Sequence, residues 1–201
     1  MRSHARARKR RRAREALPGA AARRPDRAAL PAVRGRGFEA LRDAPDQDPD
    51  FGGPGPHPTA GATAVGAREV LVAYNVDLAG ADLDLARRIA AAVRERDGGL
   101  PAVRAMGVAL DERGVDRGLV QVSMNLLDYR VTPPAAAYAA VAALAEQAGA
   151  RVEASEIVGL VPAAALAGVD PADLRLRGEV PDLLLENRLA RALDSHMEER
   201  R

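Results

Sequence analysis

Chemistry-bearing residues gather in two places. The first is residues 49–68, PDFGGPGPHPTAGATAVGAR. Gly52, Gly53, Gly55, Gly61 and Gly66 let the backbone turn sharply and approach a ligand closely. Pro54, Pro56 and Pro58 stiffen the same stretch. A rigid loop stripped of side chains suits a flat ligand held against the backbone, although an ordinary linker can share this composition. His57 lies inside it, and an imidazole with an ordinary pKa of about 6.5 could move a proton or serve only as a surface hydrogen-bonding group. Arg68 closes the loop, where a guanidinium can pair a carboxylate in bidentate fashion or anchor the junction with the next strand. The run lacks a Gly-Lys-Ser/Thr end and precedes a strand, so it is neither a P-loop nor a dinucleotide fingerprint.

The second place is a set of polar residues that alternate with apolar ones. Val70, Val72, Tyr74, Val76 and Leu78 alternate with Leu71, Ala73, Asn75 and Asp77, which predicts a strand. In Leu119–Leu127, Val120, Val122, Met124 and Leu126 point one way, and Gln121, Ser123 and Asn125 the other. Between them, Asp82 can cap a helix running to about Arg96, with Leu85, Ala86, Ile89, Ala90 and Val93 on its apolar side. Gly98 and Gly99 stop that helix, Val103–Leu110 forms a strand, and Glu112-Arg113-Gly114 a turn. Pro133 and Pro134 open a second helix that buries Tyr138, Val141, Ala142, Ala145 and Ala148 and ends at Gly149. Arg151–Val158 is the fourth strand. A short Ala-rich helix, a loop and a terminal helix over about Leu183–Met197 follow.

The order β-α-β-β-α-β is the ferredoxin-like arrangement, an α+β fold in which two helices cover one face of a four-stranded antiparallel sheet. The other face then carries Asn75, Asp77, Gln121, Ser123 and Asn125. A dry, unpaired polar group costs about 1–3 kcal/mol, so this face is expected to meet water, a polar surface or a ligand. Glu156, inside SEIVGLVP, is either an outward residue of its strand or an acid held by partners.

Bulk composition narrows the possibilities. The chain has 201 residues, no Cys and no Trp, so disulfides and thiolate catalysis are excluded and the core is aliphatic. The three His show no metal-ligand spacing, and no metal is expected. The formal charge of +2 conceals an asymmetry. Residues 1–15 hold eight basic side chains and one acid, which leaves 22 basic against 27 acidic elsewhere, a net of −5. An Arg-rich tail without aromatics on an acidic body argues against a nucleic-acid partner. No apolar run approaches the roughly 20 residues of a membrane span, and no apolar core marks a signal peptide, so a cytoplasmic protein without membrane partners is expected. The organisation read from these patterns is a basic tail over 1–19, a segment over 20–68 ending in the Gly/Pro loop, the ferredoxin-like unit over 69–170, and a loop and helix over 171–201.

Five strings resemble the glutamate formiminotransferase (glutamate formimidoyltransferase) family: PDFG (Pro49–Gly52), HPTAGATAVGAR (His57–Arg68), AYNVDL (Ala73–Leu78), QVSMNLLDY (Gln121–Tyr129) and SEIVGLVP (Ser155–Pro162). They lie in the family's order, and the resemblance covers roughly residues 20–166. It implies transfer of a formimino group from N-formimino-L-glutamate to tetrahydrofolate in histidine degradation, with tetrahydrofolate as co-substrate and two ferredoxin-like subdomains embracing the substrates. It implies folate contacts at Gly52, Gly53, Pro54, Gly55, Pro56, His57, Pro58, Thr59, Ala60 and Gly61. Arg68, Asn75, Gln121 and Asn125 become candidate substrate-facing residues. The family places its catalytic His in a subdomain before PDFG, whereas fewer than fifty residues precede it here and the first fifteen match nothing. The catalytic residue is therefore unassigned. The chain is expected to be inactive or incomplete alone, completed by a separate chain or acting as a non-catalytic folate or small-molecule binding module. An open sheet face also makes a homodimer an expectation.

Overall fold

The computed structural model describes residues 39, 55, 57, 59–63, 68–110 and 119–198. The chain divides into two compact units, Met1–Glu69 and Val70–Arg201. The turn expected at Glu112–Gly114 lies outside the described residues.

The second unit has the ferredoxin-like order. Strand β1 is Val72–Ala79, helix α1 Leu83–Val93, β2 Val103–Ala109, β3 Val120–Leu126, α2 Pro134–Gln147 and β4 Arg151–Val158. A single turn, α3 (Val180–Leu183), leads into α4 (Leu185–Glu198). The four strands form one antiparallel sheet in the order β2-β3-β1-β4, and α1 and α2 pack on one side. No helix among the described residues is long and apolar enough to cross a membrane.

The register explains the core. Val72, Tyr74, Val76 and Leu78 stand opposite Leu126, Met124, Val122 and Val120, and all eight are buried. Each such aliphatic residue contributes about 1.5–3 kcal/mol of burial, which makes this face the main source of stability. Asp82 caps α1 by accepting from the Leu85 amide at 2.7 Å. Helix α1 stops at Val93, three residues short of the expected Arg96, because Arg94 is extended and Glu95–Asp97 tightens into a 3₁₀ turn closed by left-handed Gly98. The buried stripe of α2 is Pro134, Ala137, Val141 and Ala145. Tyr138 and Ala142 are only half-buried and Ala148 is exposed, because an alanine-rich helix does not mark its inner face by residue type.

Gly107 fixes the distance between α1 and the sheet. A β-carbon there would fall 2.5 Å from the Arg87 backbone nitrogen and 2.7 Å from the Ala86 carbonyl carbon. Backbone cannot yield as a side chain does. Gly107→Ala is expected to lower stability by about 1–3 kcal/mol in urea unfolding, with α1 displaced.

Tyr74 is the second sensitive core position. Its hydroxyl is buried without a partner in hydrogen-bonding geometry. Burial raises the phenol well above its ordinary range, and the nearby Ser155 side chain opposes this only in part. Above about pH 10 the unfolded chain loses this proton while the folded chain keeps it, so stability falls as pH rises. Absorbance titration should find one of the three tyrosines silent until the protein unfolds, and Tyr74→Phe should flatten the alkaline loss at no cost in stability.

Candidate functional site

The face of the sheet opposite the helices is a polar array set by strand register. Arg104, Asn125, Ala73 and Val158 form one row across the four strands; Met106, Ser123, Asn75 and Glu156 form the next; Val108, Gln121, Asp77 and Ala154 form the third. Side chains alternate along each strand, so all twelve share this face.

The array is more closed than the sequence predicts. Asp77 has no exposed surface, and Gln121 and Asn75 are only 5% and 8% exposed. Their polar groups form one connected network. Gln121 Nε2 donates to Asp77 Oδ1 at 2.8 Å and to Glu156 Oε1 at 3.1 Å. Asn75 Nδ2 donates to the same Glu156 oxygen at 3.0 Å. The two amides therefore spend their donors inside the protein. Asn125, by contrast, is exposed and Ser123 half-buried, so the accessible part of the face lies toward the Arg104–Val158 row. Glu156 is both things the sequence left open: an outward strand residue and an acid held by partners.

The segment read as a loop after Asp170 supplies a further strand-like edge. Leu176 makes a parallel bridge to Ser155 of β4, with the Ser155 amide donating to Arg175 O and the Arg177 amide donating to Ser155 O, both at 2.9 Å. Ser155 Oγ donates to Leu174 O at 2.6 Å. This edge brings Arg177 Nη1 to 2.5 Å from Asp77 Oδ2, an ion pair that neutralises the buried carboxylate. Sequence offered no strand signal for this edge, because the chain enters it through a turn with Arg175 left-handed (φ 48°) and bridges β4 at Leu176 alone.

In the first unit, the described part of the Gly/Pro loop is a turn closed on itself. His57 and Gly61 exchange two backbone hydrogen bonds of 2.9 Å, and Gly55 and Gly61 take left-handed φ angles of 75° and 73° that favour glycine. His57 Nδ1 accepts from the Ala60 amide at 3.1 Å and the Thr59 amide at 3.3 Å. That bonding fixes the tautomer, with the proton on Nε2, and the ring itself is exposed. His57 thus holds the shape of the loop. Gly52, Gly53, Pro54, Pro56 and Pro58 lie outside the described residues. Arg68 is exposed.

A four-stranded ferredoxin-like unit with an amide–carboxylate network, preceded by a closed Gly/Pro turn, defines a class, and sequence comparison names it. The pattern of the formiminotransferase domain matches residues 73–181, and that of its N-terminal subdomain matches residues 7–68. The chain belongs to the formiminotransferase domain family. The N-terminal match reaches into the basic segment, beyond the five resembling strings, and the domain match runs through residues 174–177. The chain is 41% identical over 177 residues to a glutamate formimidoyltransferase of Thermoplasma acidophilum, covering 86% of this chain and 57% of that protein. It is 39% identical over 174 residues to the protein of the same name from Streptococcus pyogenes serotype M1, covering 84% and 56%. A formimidoyltransferase-cyclodeaminase of Gallus gallus is 40% identical over 172 residues, covering 81% and 30%. The chain thus spans little more than half the length of the two glutamate formimidoyltransferases.

The Asp77–Arg177 pair offers a direct test of the network. Removing a partner from a fully buried ion pair typically costs about 3–5 kcal/mol. Here the guanidinium is half-exposed, so water can take part of its place. Arg177→Gln is expected to cost about 1–3 kcal/mol in chemical unfolding, and hydrogen exchange should show the Leu174–Arg177 edge losing protection first.

Proposed function

We propose that this chain is part of a glutamate formimidoyltransferase that passes a formimino group from N-formimino-L-glutamate to tetrahydrofolate during histidine degradation. The observation that carries the reading is identity near 40% to proteins named for this activity, spread over most of the chain. In this reading the loop from Gly52 to Gly61 holds the folate, with His57 shaping the turn so that backbone groups meet the ring system. Asn125, the exposed amide of the sheet face, and Arg68 face the substrates, while Asn75 and Gln121 act from beneath by holding Glu156. Tetrahydrofolate is a co-substrate, and the cytoplasm is the compartment assigned.

The reading also holds that the acid–base group is none of the residues assigned above. A positioned acid or base is worth about 10²–10⁴ in rate. The purified chain should therefore bind tetrahydrofolate in calorimetry yet turn over formiminoglutamate at least about 10²-fold more slowly than the Thermoplasma relative. His57→Ala should weaken folate binding by opening the turn. Absence of folate binding by the intact chain overturns the reading; turnover matching the relative places the acid–base group within this chain.

A further inference from the structure

We infer that the turn from His57 to Gly61 is a pH-sensitive latch, closed while the His57 imidazole is neutral and opened when the ring takes up a proton. The latch rests on the geometry of the turn; its effect on a ligand rests on the proposed function. His57 and Gly61 exchange two backbone hydrogen bonds of 2.9 Å, and the Thr59 and Ala60 amides lie between them. Neither amide meets a backbone carbonyl among the described residues. Both donate to His57 Nδ1, at 3.3 Å and 3.1 Å. The Thr59 hydroxyl lies 3.3 Å from the same nitrogen. Three groups of one turn thus converge on a single atom.

Two of the three are N–H donors that cannot reverse their role. They need a bare Nδ1, which a neutral imidazole supplies when its proton sits on Nε2. An imidazolium carries a hydrogen on both nitrogens, so Nδ1–H then points at two amide hydrogens. Only Thr59 Oγ1 can change from donor to acceptor and keep a bond to the ring. Protonation therefore exchanges two amide bonds for one hydroxyl bond. The ring is exposed, so a proton reaches it without prior unfolding. No carboxylate or guanidinium is bonded to it among the described residues, so no neighbouring charge offsets the change. Left-handed Gly55 and Gly61 flank the histidine and give the released backbone hinges on which to move. The open turn takes the proton and the closed turn excludes it. Closure therefore weakens as pH falls through the range in which imidazoles titrate, about pH 8 to 5. The linkage is reciprocal: a ligand that requires the closed turn expels the proton when it binds.

The test compares the full native chain with His57→Asn, whose side-chain oxygen can accept from amides further along a turn but does not titrate. Nuclear magnetic resonance reads the latch without ligand. From pH 8 to 5, the native Thr59 and Ala60 amide resonances should move from hydrogen-bonded to open-chain positions as the His57 ring titrates, and in His57→Asn they should hold. Calorimetry with tetrahydrofolate reads the consequence. Native affinity should fall by about 3- to 10-fold over this range, with protons released on binding, whereas the affinity of His57→Asn stays constant. His4, His196 and the ligand titrate alike in both chains, so the difference belongs to His57. Amide resonances that hold in the native chain, or a variant that repeats the native pH dependence, overturn the latch. Resonances that move while the affinity does not overturn its effect on the ligand. Absence of tetrahydrofolate binding at every pH overturns the proposed function, and the resonances then judge the latch by themselves.

Discussion

Asp77 carries a negative charge on a side chain with no exposed surface, in an inner strand of the sheet. A charge in that position is tolerated only if it is paired and hydrogen-bonded. The polar face follows from that constraint. Gln121 must lie opposite on β3 to donate to one oxygen, and the chain beyond β4 must return along the sheet edge to bring Arg177 to the other. Gln121 then shares its amide with Glu156, and Asn75 completes the acceptor shell of that acid. The result is a face closed near Asp77, whose Oδ2 is held by the ion pair with Arg177 without hydrogen-bonding geometry, and accessible near Asn125 and Arg104.

Much of the fold was legible because period-two alternation is strong where one face of a strand is buried by helices. All four strands, the Asp82 cap and the helix-stopping Gly98 could be read from residue types alone. Two things were not. The inner face of α2 was read only in part, with Val141 and Ala145 buried as expected but Ala148 exposed and Ala137 unforeseen, because alanine serves equally well on either side of a helix. The closeness of the polar face was underestimated because asparagine and glutamine look the same in sequence whether they face water or a carboxylate. Glu156 decides between these cases, since its single oxygen draws in both amides, and only pairing register reveals that they converge.

The candidate site was legible in a different way. The Gly/Pro composition suggested a rigid loop, and the turn at His57–Gly61 is closed by paired backbone hydrogen bonds and by the imidazole. An acid–base reading of His57 looked for chemistry in the ring, whereas the ring's Nδ1 is committed to the loop's own amides. Family resemblance implies a folate-associated segment here; local geometry explains why a histidine suits the turn. The exposed leucine ridge of α4 (Leu185, Leu189 and Leu193, continued by Met197) had no comparable signal, because a terminal amphipathic helix in sequence promises a buried side.

The Leu174–Arg177 edge has a consequence for how the chain finds its final alignment. Leucine and arginine alternate there, and Leu174 is buried while Arg177 reaches across to Asp77. Arg175 turns through a left-handed φ of 48° and Leu176 alone bridges Ser155, so moving that bridge by one position would strand the acid without its counter-ion. The ion pair thus works as a check on assembly: it closes only when the count of residues from β4 is right.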